Sequence, residues 1–175
     1  MIVTIDGPAG SGKSTVARKL ANKLSFIHLN SGALFRALGV LAEGAGIPLD
    51  SDEELSLLAE RTDFVFVLAE EVRGEQKIRQ TSLLVNGSDI SNELRSSRVG
   101  MLASRVGVHP KVREVLRHVQ RRTASGNSVV VEGRDAGTVV FPDADVKFYL
   151  DADIGVRAMR RFDELSSSKG HELTL

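Results

Sequence analysis

Short apolar runs alternate with amphipathic stretches along this chain, and the spacing within each run predicts its form. Ile2, Val3 and Ile5 make a brief β-branched run at the start. Within residues 14–24, Val16, Leu20 and Leu24 recur at four-residue intervals, one face of a helix packed on a sheet. Phe26 to Leu29 reads as a second short strand. Ser31 to Ala42 reads as a second helix, with Leu34, Leu38 and Leu41 on one stripe and an end near Gly44. Ser51 and Glu54 form a capping-box pattern that opens a third helix through Leu55, Leu58 and Ala59.

The character then changes. Phe64-Val65-Phe66-Val67 and Leu83-Leu84-Val85 flank a polar stretch from Arg73 to Gln80, and Asn86-Gly87 is a turn signal. Residues 63–87 therefore read as an antiparallel excursion outside the main sheet. Helical patterning returns over 91–106. Pro110 suits the first turn of the next helix, whose buried face carries Val112, Val115, Leu116 and Val119 and which ends at Ser125-Gly126-Asn127. Ser128 to Glu132 and Val146 to Leu150 are apolar runs short enough for fully buried parallel strands, and Asp151 to Leu165 resumes a helix. Strands alternating with helices predict an α/β fold, an open parallel sheet flanked by helices with one small antiparallel insert.

Chemistry enters at residues 7–15. Gly7-Pro8-Ala9-Gly10-Ser11-Gly12-Lys13-Ser14-Thr15 completes the pattern G-x-x-x-x-G-K-[ST] between the first strand and the first helix, the setting a phosphate-binding loop requires. Glycines at 7, 10 and 12 allow conformations barred to residues with a Cβ, so successive N–H groups turn inward toward phosphates. The helix N-terminus adds positive potential. Lys13 is placed to reach the β- and γ-phosphates, and the Ser14 hydroxyl to ligate Mg²⁺. The loop predicts a bound nucleoside triphosphate.

Composition narrows the remaining choices. A length of 175 residues fits one domain. Lys and Arg total 23, as do Asp and Glu, and zero net charge argues against a partner held by bulk charge, whether nucleic-acid polymer or membrane. There are no cysteines, which excludes disulfides and Cys-based zinc sites. His28, His109, His118 and His171 are scattered without ligand spacing. No apolar run approaches a membrane span, and a strand that begins at residue 2 leaves no room for a signal peptide, so a cytoplasmic protein is expected.

Three further segments carry a family likeness: Asn30-Ser31-Gly32-Ala33-Leu34-Phe35-Arg36, Val108-His109-Pro110-Lys111-Val112-Arg113 with Ala103-Ser104-Arg105-Val106 before it, and Glu132-Gly133-Arg134-Asp135-Ala136-Gly137-Thr138-Val139-Val140-Phe141-Pro142. With the loop, and in unbroken order from Ile2 to about Leu165, they resemble the bacterial cytidylate kinase family. The resemblance implies the nucleoside monophosphate kinase version of the P-loop NTPase fold, with residues 63–100 as the monophosphate-binding insert. It implies a monomer that passes the γ-phosphoryl of ATP to CMP or dCMP with Mg²⁺. Arg36 and Arg134 then clamp the acceptor phosphate, as guanidinium forks do well. Ser31, Arg113 and Asp135 form the base pocket, and Ser104 touches the ribose. A carboxylate at 135 favours the N4 amine of cytosine and repels the oxygen of uracil. Arg157, Arg160 and Arg161 begin a lid over ATP. Lys13, Arg134 and Arg157 carry the catalysis by charge and position, with no dedicated general base.

The family has Asp where Asn30 stands and Tyr where Phe35 stands. Its members also continue past the position of Leu175 through more of the lid, a fifth strand and a last helix. The resemblance therefore makes residues 1–175 a single kinase domain incomplete at its C-terminus, in which Ser166 to Leu175 reads as a cut lid. The strand from Val146 to Leu150 is then expected to show an open edge, and the chain to be poorly soluble and nearly inactive. Two other readings stay open. One is a related P-loop kinase acting on AMP or shikimate, against which Asp135 and the 63–87 insert speak. The other is a nucleotide-binding module that no longer catalyses.

Overall fold

Four short parallel strands position everything that follows. The computed structural model describes residues 1–73, 76–91 and 93–169. Its main sheet has the order β2-β6-β1-β7, from β1 (Ile2–Asp6), β2 (Ile27–Asn30), β6 (Val129–Gly133) and β7 (Val146–Tyr149). Every pairing is parallel, with Ile2 opposite Val129 and Asp6 opposite Gly133 in the central pair. Valines 129, 130 and 131 are all buried, Val129 and Val131 in the larger core and Val130 in the smaller. Their continuous apolar run reflects a strand covered on both faces.

The smaller core lies under α1 (Lys13–Leu24), and its contact face corrects the stripe that spacing predicts. Ala17 and Ala21 are buried, whereas Val16 is 44% and Leu24 40% exposed. The helix begins directly out of the phosphate loop, which holds it close to the sheet, so the small Ala17 and Ala21 lie beneath it while Leu20, of the predicted stripe, packs at the edge of the same core. The larger core is built by α2 (Ser31–Gly44), α3 (Asp52–Arg61), α4 (Ser97–Val106) and α5 (Pro110–Ala124). Leu34 and Leu38, Leu55 and Ala59, and Val112, Leu116 and Val119 are buried there as their periodicity predicts, and Ser51 Oγ accepts the Glu54 N–H at 3.3 Å.

The insert is a three-stranded antiparallel sheet, β3 (Phe64–Arg73), β4 (Gln76–Val85) and β5 (Ser88–Asp89). Asn86 and Gly87, at φ 49° and 81°, make the left-handed two-residue turn that their identity predicts. Phe64, Phe66, Leu83 and Val85 are buried in the larger core, so the base of this hairpin packs with the main domain. Residues 74 and 75 of the polar stretch, and 170–175 of the tail with His171, lie outside the described residues.

Two elements depart from the hydrophobic pattern. β7 is not a fully buried strand but shows the open edge that the family resemblance implies: it pairs only with β1 among the described residues, and Phe148 is 53% and Tyr149 71% exposed. A π-helical turn, Ala136–Val140, follows β6 where no element is predicted. α6 (Ile154–Lys169) closes the described chain. Among the described residues no helix is long and apolar enough to cross a membrane.

Candidate functional site

A cleft of about 1600 Å³ opens where β1, β2 and β6 end at their carboxyl sides. Open α/β sheets bind ligands there. A site for one small molecule occupies roughly 300–1,000 Å³, so this cleft has room for two.

One wall is the phosphate loop. Gly7, Gly10 and Gly12 have φ of 146°, 75° and 97°. At Gly7 a Cβ would also overlap the carbonyl oxygen of Leu150, which follows β7. Lys13 Nζ donates to the Pro8 carbonyl at 2.6 Å. Burial, then the positive charge of Arg134, pulls the Lys13 pKa below the ordinary lysine value, while Glu132 and Asp6 act in the opposite direction. Arg134 at the end of β6 is thus close enough to act on the loop lysine. α6 lies across the loop. Arg160 donates to the Gly10 carbonyl at 3.1 Å, and Arg160 and Arg161 line the cleft. Arg157 does not line it; its Nε donates to the Ala152 carbonyl at 3.1 Å, and its charge still reaches Lys13.

The opposite wall gathers the other predicted residues. Asn30 caps α2, its Oδ1 accepting the Ala33 N–H at 3.1 Å, a role that asparagine and aspartate can fill alike. Ser31 and Arg36 project from the first turns of α2, and Ser104 from α4, into the cleft. Ser104 Oγ donates to the Gly100 carbonyl at 3.1 Å. Arg113, on the first turn of α5, pairs with Asp135 and donates to the Gly107 carbonyl at 3.2 Å. Its guanidinium lies 5.8 Å from the centroid of the Phe35 ring, a cation–π contact that a phenylalanine supplies as well as a tyrosine.

Three residues to which sequence reasoning assigns no role hold the walls together. Asp6, buried at the end of β1, accepts the N–H groups of Ala136 and Gly137, both at 2.8 Å. Glu132 is 3% exposed, with His28 Nε2 3.2 Å from its Oε1, within ion-pair reach but outside hydrogen-bond angles. Burial alone would raise the Glu132 pKa; the His28 imidazole, the Ser14 hydroxyl and the Lys13 charge hold it below the ordinary glutamate value. Gln120, buried on α5, accepts the Ser31 hydroxyl at 2.6 Å. A carboxylate ending a buried strand was the available signal for Asp6 and Glu132. Among the described residues no group of three or more His, Cys, Asp or Glu could hold a metal.

The cytidylate kinase family model matches residues 3–174. The chain belongs to the cytidylate kinase family. A cytidylate kinase of Geobacter sp. (strain M21) is 42% identical over 175 residues, covering 100% of this chain and 71% of the relative. That of Vibrio cholerae serotype O1 is 43% identical over 164 residues, with 94% and 69% covered. That of Nitratidesulfovibrio vulgaris (strain Hildenborough) is 44% identical over 176 residues, with 99% and 72% covered. Within this cytidylate kinase family member, the matched region takes in every residue of both walls.

Proposed function

We propose that the chain transfers the γ-phosphoryl group of ATP, bound with Mg²⁺, to CMP or dCMP. The observation that carries the reading is the Asp135–Arg113 pair, a carboxylate acceptor beside a guanidinium donor on the acceptor wall. Cytosine offers an N4 amine next to the N3 lone pair, so both groups are matched. Uracil offers an oxygen next to an N–H, and both are opposed.

The rest of the cleft supplies charge. Lys13 and the loop amides hold the donor phosphates, while Arg36 and Arg134 hold the acceptor phosphate. Arg157, Arg160 and Arg161 on α6 add positive charge over the donor. The attacking oxygen of a phosphate dianion carries no proton, so no general base is needed. Ser14 and Glu132 are hard oxygen donors at the donor side of the cleft, and such a pair would suit Mg²⁺, which takes one or two protein oxygens and keeps water and phosphate for the rest. Mg²⁺ held there would supply positive charge to offset that developing between the phosphates. Ser31 joins the base pocket, Ser104 meets the ribose, and residues 63–100 serve as the monophosphate-side insert. The enzyme works as a cytoplasmic monomer.

The test is an acceptor panel of CMP, dCMP, UMP, AMP and shikimate with ATP, run on the parent and on Asp135→Ala. The parent should favour the cytidine nucleotides. Asp135→Ala should lose about 1–3 kcal/mol of discrimination against UMP, the worth of a bidentate base contact. Equal losses for CMP and UMP would refute base reading by Asp135.

A further inference from the structure

We infer that Gln120 sets the cytosine preference of this site by fixing the direction of the Ser31 hydroxyl. The inference rests on the reading above, in which Ser31 and Asp135 face the base. Gln120 and Arg113 are seven residues apart on α5, two turns along one face, so one helix presents both toward the base pocket. Gln120 Nε2 donates to the Leu116 carbonyl at 3.2 Å, which turns its Oε1 toward Ser31. The flipped amide would set Oε1 against the Leu116 oxygen, two acceptors face to face.

Oε1 can only accept. The 2.6 Å contact with Ser31 Oγ therefore uses the single proton that a serine hydroxyl has. Toward the cleft Ser31 presents lone pairs alone. Its hydroxyl sits beside Gly133, where an added Cβ would lie in van der Waals contact with Oγ at 3.4 Å. The N4 amine of cytosine has two N–H groups, one for Asp135 and one for Ser31. The O4 of uracil meets lone pairs from both. A serine without Gln120 would rotate and donate to O4, and half of the barrier against uracil would be lost. Gln120 touches no substrate; it is a positioning residue that makes an adaptable hydroxyl an obligate acceptor.

The test measures dissociation constants of CMP and UMP by calorimetry on the parent, Gln120→Leu, Gln120→Met, Ser31→Ala and the double variant Ser31→Ala/Gln120→Leu, each checked for folding by thermal melting. Gln120→Leu should lower the ratio of UMP to CMP constants about tenfold, the scale of one hydrogen bond gained or lost. UMP should bind as well as to the parent or better, which a merely structural lesion would not produce. In the Ser31→Ala background the same change should leave the ratio where Ser31→Ala puts it. Gln120→Met, close in volume, is read in the same way if Gln120→Leu does not fold. A parental ratio in the Gln120 variants, or an undiminished drop without the Ser31 hydroxyl, would overturn the inference alone. A parental ratio in Ser31→Ala would overturn the base-pocket role of Ser31 beneath it.

Discussion

Asp6→Asn isolates the contact that ties the phosphate-loop strand to the acceptor segment. Asp6 is 6% exposed, and its two oxygens accept the N–H groups of Ala136 and Gly137 at 2.8 Å each. Asparagine keeps the shape and one acceptor, but its amide nitrogen must face the other N–H. One charge-assisted hydrogen bond is lost and one buried N–H is left unsatisfied, which costs about 1–3 kcal/mol. For a domain this size each kcal/mol lowers Tm by roughly 2–4 °C, so a cost near ~2 kcal/mol predicts a fall of about 4–8 °C. The backbone of Asp6 stays held, because β1 pairs with both β6 and β7 and the Asp6 carbonyl accepts the Leu150 N–H at 2.7 Å. The lesion should therefore act on residues 134–137 more than on the loop. Melting curves, with calorimetry of CMP and ATP, should show a lower Tm and CMP affinity reduced more than ATP affinity. A variant that melts within about 1 °C of the parent and binds CMP unchanged would refute this account of Asp6.

Three further outcomes are expected. Lys13→Ala should lower ATP-dependent turnover by orders of magnitude and leave CMP affinity nearly intact, since Lys13 addresses donor phosphates only; calorimetry in which both affinities fall together would contradict the two-wall reading. Gly7→Ala should lose ATP binding and melt lower, because its Cβ would overlap the Leu150 carbonyl at a φ that disfavours side chains; a parental melt would show that β7 yields easily. The depressed Glu132 pKa predicts stability that is present above the unfolded glutamate value, about 4.3, and lost as pH falls through the lower folded value. The stability difference between the parent and Glu132→Gln should be flat at neutral pH and shrink in acid, and a difference independent of pH would count against it.

The sheet, the insert and the phosphate loop were legible because each rests on local rules. Period-two runs, a capping serine at 51, an Asn-Gly turn and a glycine-spaced loop each state their form within a few residues. The α1 face was not, since periodicity ranks residues by hydrophobicity while the buried stripe of Ala17 and Ala21 is chosen by how closely the loop brings the helix to the sheet. The hydrophobic pattern alone also misreads β7, because Val146 to Tyr149 is apolar enough for a buried strand while burial depends on what neighbours it in the sheet; the open edge followed from the family resemblance instead. Among the candidate site residues, Lys13, Ser14, Ser31, Arg36, Ser104, Arg113, Arg134 and Asp135 line one cleft, whereas Arg157 does not line it. Asp6, Glu132 and Gln120 did not announce themselves, because their partners lie far along the chain, 130 residues away for Asp6 and Ala136.

The end of β6 explains why the two walls act as one site. Glu132 in β6 and Arg134 in the bend that follows it both act on Lys13, with opposite sign. Asp135, one residue on, pairs with Arg113. Gly133 between them lies beside both Ser31 and Asp6, each 3.4 Å from where its Cβ would be. Four consecutive residues thus set the charge on the donor side, the spacing across the cleft and the hydrogen-bond pattern offered to the base. A one-residue slip of β6 would turn Glu132 and Gly133 to the opposite faces of the sheet and displace the bend that carries Arg134 and Asp135. The register of β6 against β1, with Glu132 beside Ile5 and Gly133 beside Asp6, is therefore as much a part of the site as any side chain in it.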